Sequence, residues 1–209
     1  MKISKLAGIA LLLSACSEPV LPILGPREVE VKQVNGKEVV DTIYKTIPDF
    51  SFYNQDGDII TKKDVMGKIY VADFFFVTCP TICPRMKRNL LKVYEAYGNE
   101  PNVMLLSHTI DPDHDSISVL KEYAEGLGAK APAWHFLRAE REYTWKLAEE
   151  GYYATAMADS LEPGGFVHSG GLILVDQLGR VRGVYDGTSE SETKQLINDI
   201  PLLLHEKKD

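Results

Sequence analysis

The stretch "KIYVADFFFVTCPTICPRM", residues 68–86, decides the architecture. A β-rich segment, Ile69 to Val77, leads into two cysteines four positions apart, Cys79 and Cys83, each followed by proline. A β-rich run that is apolar on both faces has no side for water, so it reads as a buried central strand. Pro80 and Pro84 limit where a helix can begin, because proline is tolerated in a first turn and not deeper. The strand-to-helix junction therefore falls inside the cysteine motif, with Cys79 near the cap and Cys83 in the first turn. Unsatisfied N–H groups and the helix dipole stabilise thiolates there, which predicts that both sulfurs are more acidic than an ordinary thiol.

Elements alternate on the C-terminal side of this junction. "RMKRNLLKVYEAY" (85–97) places Met86, Leu90, Val93 and Tyr97 on one helical face. "NVMLLSHTI" (102–110) reads as a strand, and "SISVLKEYAEGLG" (116–128) as a helix that Asp115 can cap and a glycine ends. "WHFL" (134–137) is a short strand and "EREYTWKLAEEG" (140–151) a helix. Gly164 and Gly165 mark a loop before "GGLILVD" (170–176), a strand that turns at 176–179 into "RVRGVYDG" (180–187). A last helix over 189–204 contains Pro201, which is expected to end or kink it. On the N-terminal side, Asn35-Gly36 and Asp56-Gly57 sit between alternating segments and predict two hairpins. This order requires an α/β fold with a mixed central sheet flanked by helices and an N-terminal β-hairpin extension.

The length of 209 residues and 44% apolar content suit one domain. A net charge of −7 excludes nucleic acid and anionic membrane surfaces as partners of the bulk surface. Residues 1–15 have the layout of a secretion signal: Lys2 and Lys5, an apolar segment from Leu6 to Leu13, then small residues. "LSAC" (13–16) resembles the lipobox of bacterial lipoproteins, which implies lipid on Cys16 and a domain held at a membrane, facing the periplasm. Residues 16–28 read as a tether and 29–209 as the folded domain, expected to be a monomer.

Cys79 and Cys83 then remain as the thiols of the mature chain. Residues four apart on a helix lie about 5–6 Å apart at Cβ, close enough for a disulfide or for a shared metal ion. Spacing alone leaves redox chemistry and metal binding both open. An inert staple is the weaker reading, since so short a loop constrains little of the unfolded chain.

"DFFFVTCPTICPRM" resembles the Cys-Pro-x-x-Cys-Pro signature of the Sco/SenC family, copper-binding proteins of thioredoxin-like fold that assist assembly of the copper centre of cytochrome c oxidase. The resemblance implies a third ligand, a histidine just before a downstream strand, and "GFVHSGGLILVD" offers His168 there. It also implies a role in partner docking or site tuning for Asp111 and Asp115. Two thiolates suit Cu(I), and an imidazole adds a donor that also accepts Cu(II). The reading that follows is a membrane-anchored copper metallochaperone whose partner is the copper-receiving subunit of the oxidase. The alternative is a thiol-disulfide oxidoreductase in which Cys79 attacks and Cys83 resolves. Its spacing of three intervening residues and the lack of a proline directly before "GGLILVD" weigh against it. His108, His114, His135 and His205 read as structural, and the scattered Met66, Met86, Met104 and Met157 as packing.

Overall fold

Asn35 and Gly36 both take positive φ, 53° and 74°, which is the two-residue turn their identities predict. They join β1 (Arg27–Val34) to β2 (Lys37–Tyr44), an antiparallel ribbon whose residues are nearly all exposed. The computed structural model describes residues 19–158, 166–168 and 170–206. The signal segment, Cys16 and the Gly164-Gly165 loop lie outside the described residues. A second hairpin, β3 (Ser51–Tyr53) and β4 (Ile59–Thr61), turns at Gly57 with φ 84°, where Asn54 Oδ1 accepts from the Asp56 and Asp58 N–H groups. One short helix, α1 (Lys62–Val65), was not foreseen. Its signal was present in Thr61-x-x-Asp64: the Asp64 carboxylate accepts the Thr61 N–H at 2.7 Å.

The main sheet is built on β5 (Ile69–Phe75), buried at every residue. Then follow α2 (Cys83–Tyr97), β6 (Val103–Thr109), α3 (Ile117–Leu127), β7 (Trp134–Leu137) and α4 (Arg141–Tyr152). A small pair, β8 (Ala156–Ala158) and β9 (Phe166–His168), precedes β10 (Gly171–Val175), β11 (Val181–Asp186) and α5 (Glu190–His205). Strand order is β11-β10-β5-β6-β7, with β5, β6 and β7 parallel and β10 antiparallel to both neighbours, so the sheet is mixed and β5 is central. Asp73 and Phe75 face α2 and Tyr123 of α3, while Tyr70 and Phe74 face Tyr152 of α4.

Pro201 neither ends nor replaces α5, which continues to His205. Proline cannot donate to the carbonyl four residues before it, here that of Ile197. The Tyr97 hydroxyl donates to that oxygen at 2.7 Å, so the lost bond is replaced from α2.

The segment read as a tether is seated on the domain from Leu21 to Leu24. Leu24 N–H bonds the Val181 carbonyl at 2.8 Å, and both leucines pack on the core. Arg182, 1% exposed, donates to the carbonyls of Leu21 (2.5 Å) and Pro22 (3.1 Å), to Asp176 (3.1 Å) and to Glu206. It thereby joins the first and last described turns of chain to the sheet. Arg182→Met releases the Leu21 and Pro22 carbonyls and Glu206 while Asp176 keeps Arg180 at 2.8 Å, and an expected loss of about 1.5–3 kcal/mol is to be read from urea unfolding.

Candidate metal centre

The chain leaves β5 and turns at once, Cys79 N–H reaching the Phe76 carbonyl at 3.2 Å. α2 begins with Ile82 as cap, Cys83 as its first residue and Pro84 next, the place where proline costs nothing. Cys79 therefore stands three residues outside the cap, further out than the sequence reading placed it. Cys79 and Cys83 are present as thiols, buried at 6% and 2% exposure and hydrogen-bonded to each other.

Their acidities diverge. Burial pushes Cys79 up, but the Cys83 thiol, the Thr81 and Cys83 backbone N–H groups and the Thr81 hydroxyl all favour its thiolate and leave it below the ordinary value. Deeper burial pushes Cys83 well above it, reinforced by the hydrogen bond to Cys79. The expectation of two acidic sulfurs is thus corrected for Cys83: the Phe76 backbone N–H and the Lys87 charge favour its thiolate, and desolvation outweighs them. The pair is one sulfur ready to act as a thiolate beside one that holds its proton.

Asp115 does not cap α3. Ser116 does so, its hydroxyl accepting the Val119 N–H. The Asp115 carboxylate, 1% exposed, accepts the Val77 N–H at 3.2 Å and the Thr109 hydroxyl at 2.5 Å. It fixes the backbone two residues before Cys79. Asp111, 3% exposed, sends its N–H to Thr109 Oγ1 and its carboxylate to Arg141 (3.2 Å) and His114 (2.7 Å). Both carboxylates are turned inward, a geometry for positioning the loop from behind.

Lys87, one turn after Cys83 and not among the four residues of the predicted apolar face, is buried. Its ammonium reaches Asp73 at 2.6 Å and Ser107 at 3.0 Å, and lies 4.0 Å from the Phe75 ring centroid. Ser107 also accepts from Trp134 Nε1 at 3.0 Å and donates to Asp73. A concavity of about 280 Å³ opens above, lined by both cysteines, Val77, Leu91 and Tyr123.

His168 ends β9, its backbone opposite Ala156 of β8, and its side chain is outside the described residues. Two residues on, a Cβ at Gly170 would lie 3.3 Å from Ile82 Cδ1 and 4.0 Å from Met86 Sδ, so this chain segment rests on the first turn of α2. Consecutive Cα atoms are about 3.8 Å apart, so the His168 Cα is within about 7.6 Å of the Gly170 Cα. Gly187 secures it: its N–H bonds the Gly170 carbonyl at 2.9 Å, its own carbonyl accepts from Asn89, and a Cβ there would collide with Gly170. Among the described residues no three His, Cys, Asp or Glu side chains form a group able to hold a metal, which leaves the two thiols as the described donors.

Fold and site together define a thioredoxin-like domain with a dithiol at the junction of its central strand and following helix. Residues 41–204 match the family model described as SCO1/SenC, and the chain belongs to that family. A SCO1/SenC family lipoprotein from Bacillus anthracis str. Ames superposes with TM-score 0.70 at 30% identity, over 77% of this chain and 95% of that one. BsSco, a member of the Sco family of cytochrome c oxidase assembly proteins in which a disulfide switch has been identified, superposes at 0.69 and 26% identity, over 78% and 95%. Yeast Sco1 with copper bound shares the fold at TM-score 0.62 and 23% identity, over 78% and 90%.

Two outcomes test this geometry. Limited alkylation with iodoacetamide is expected to label Cys79 ahead of Cys83, with a half-maximal rate below pH 9.0, as peptide mass analysis will show; Cys83 reacting first contradicts the asymmetry. Lys87→Met is expected to cost about 3–5 kcal/mol by stranding Asp73, and Asp73→Asn in the same chain to recover part of it, measured as a double-mutant cycle.

Proposed function

We propose that this chain is a copper metallochaperone that holds one copper ion through Cys79, Cys83 and His168 and assists assembly of the copper centre of cytochrome c oxidase. The observation that carries it is the convergence on one helix turn: two hydrogen-bonded thiols at an open concavity, and the His168 strand led to the same turn by Gly170. Two sulfurs and an imidazole suit both oxidation states of copper, and three donors leave a side open to the recipient's incoming ligand. The copper bound in yeast Sco1 and the oxidase-assembly role of BsSco's family support the same reading. Asp115 serves as a positioning residue by holding Val77, and Asp111 braces it through Thr109.

The chain is anchored, in this reading, by lipid on Cys16 at the outer face of the cytoplasmic membrane, with 29–209 as the working domain. No helix among the described residues is long and apolar enough to cross a membrane, and a lipidated relative exists in Bacillus anthracis. The thiol asymmetry favours a second reading, reduction of client disulfides, with Cys79 as nucleophile and Cys83 as the resolving thiol.

Anaerobic Cu(I) titration of the reduced chain decides between them. One equivalent is expected to bind, with His168→Ala weakening it at least about tenfold and Cys79→Ser/Cys83→Ser abolishing it. Equal affinity in wild type and His168→Ala overturns the three-donor centre, and rapid disulfide exchange alongside it moves the oxidoreductase ahead.

A further inference from the structure

The cysteine helix runs against the charge of the chain. α2 carries Arg85, Lys87, Arg88 and Lys92 against a single acid, Glu95, in a protein of net charge −7. Two of these cations are committed: Lys87 is buried on Asp73, and Lys92 bonds Glu190 at 2.6 Å. Arg85 and Arg88 are exposed, and their guanidinium groups have no ion pair or hydrogen bond among the described residues. Three positions apart, they are neighbours on one helical face. Two concavities meet there and share Arg88. The first, about 280 Å³, holds the thiols and is otherwise walled mainly by apolar groups such as Leu91 and Tyr123. The second, about 400 Å³, is lined by Arg85, Asn89, Lys92, Thr188 and Glu190, whose carboxylate is neutralised by Lys92.

We propose that these two neighbouring concavities, with Arg88 between them, dock an extended acidic segment of the client polypeptide, placing an apolar side chain beside Tyr123 and carboxylates on Arg85 and Arg88. The inference rests on the reading of Cys79 and Cys83 as the site of exchange with a client. A flat anionic bilayer spreads its charge far beyond one helix face and meets the net negative charge of the domain. A short acidic segment meets only the local cations, which act within a Debye length of about 8 Å at physiological salt. Complementary charge at such a rim steers encounter and sets register more than it adds final affinity.

The test uses the full chain carrying Cys16→Ser, so that Cys79 and Cys83 are its only thiols. The probes are three nine-residue peptides, each with one cysteine joined in a disulfide to uncharged 2-thiopyridine and followed by Leu and then by acidic, neutral or basic residues. A Cys79 thiolate attacks the peptide sulfur, a protein–peptide disulfide forms, and 2-thiopyridine leaves with the electron pair and is read by absorbance. Cys83 then displaces the peptide thiol and closes the Cys79–Cys83 disulfide, so one probe is reduced for each dithiol oxidised.

The acidic peptide is expected to react about tenfold faster than the neutral one at low salt, and the basic peptide slower. The advantage is expected to shrink with added salt and to vanish in Arg85→Glu/Arg88→Glu, while Arg85→Lys/Arg88→Lys keeps most of it. Dipyridyl disulfide, which has no segment to dock, is expected to react equally with all three proteins. Equal rates for acidic and neutral peptides, or an acidic preference that survives charge reversal, overturn the proposal. So does arginine-dependent sedimentation with phosphatidylglycerol vesicles without peptide selectivity, which would assign the patch to lipid. Unreactive thiols toward dipyridyl disulfide in the wild type would instead overturn the reading of the cysteines as an exchange site.

Discussion

Lys87 cannot leave Asp73 without stranding a carboxylate that water does not reach, and that constraint fixes the helix on which the site is built. The ammonium is held by Asp73 of β5 and Ser107 of β6, so the rotation of α2 about its axis is set by the two central strands. Cys83 lies one turn earlier on the same helix and inherits that setting. Two further stretches close on the same turn. Asp115 holds the loop before Cys79 from behind, and the Gly170–Gly187 contact lays the chain after His168 across Ile82 and Met86. Segments 38 to 98 positions apart in the chain are thereby brought together around the start of one helix, each by a different kind of interaction.

The divergence of the two sulfurs follows from this arrangement. Cys79 takes backbone donors from Thr81 and Cys83 at the helix start and Cys83 takes one from Phe76 at the strand end, but Cys79 is left nearer the surface and Cys83 lies deeper. A protein that must both keep a soft donor pair and let a partner reach it benefits from that division. Under the proposed function, the outer sulfur is the one a partner meets, and the inner one holds the pair to the scaffold.

Much of the fold was legible because it is dictated locally. Asn35-Gly36 and Asp56-Gly57 can make only a few turns, and the β-rich stretch ending in Phe74, Phe75 and Phe76 has no soluble alternative to a central strand. Where reading failed, a distant partner had overridden a sound local rule. Asp115 and Ser116 are both competent caps, and the choice is made by the N–H of Val77, 38 positions away. Pro201 does remove a helical bond, yet Tyr97 supplies another donor from α2. Lys87 follows the pattern of an outer helical face until Asp73, 14 positions earlier, is seen beneath it. The cysteines stand out as a candidate site from their spacing and prolines, whereas His168 is a candidate only through a family resemblance, since no local pattern marks a loop histidine as a ligand.

The clasp of Arg182 on Leu21 and Pro22 bears on where the domain can work. With lipid on Cys16, only five residue steps separate the anchor from Leu21, and a fully extended chain covers at most about 18 Å over that span. The domain is therefore on a short leash. Under the proposed lipid anchor it works in a thin layer next to the bilayer and does not reach far up a tall complex, so a recipient site would have to present itself within that layer.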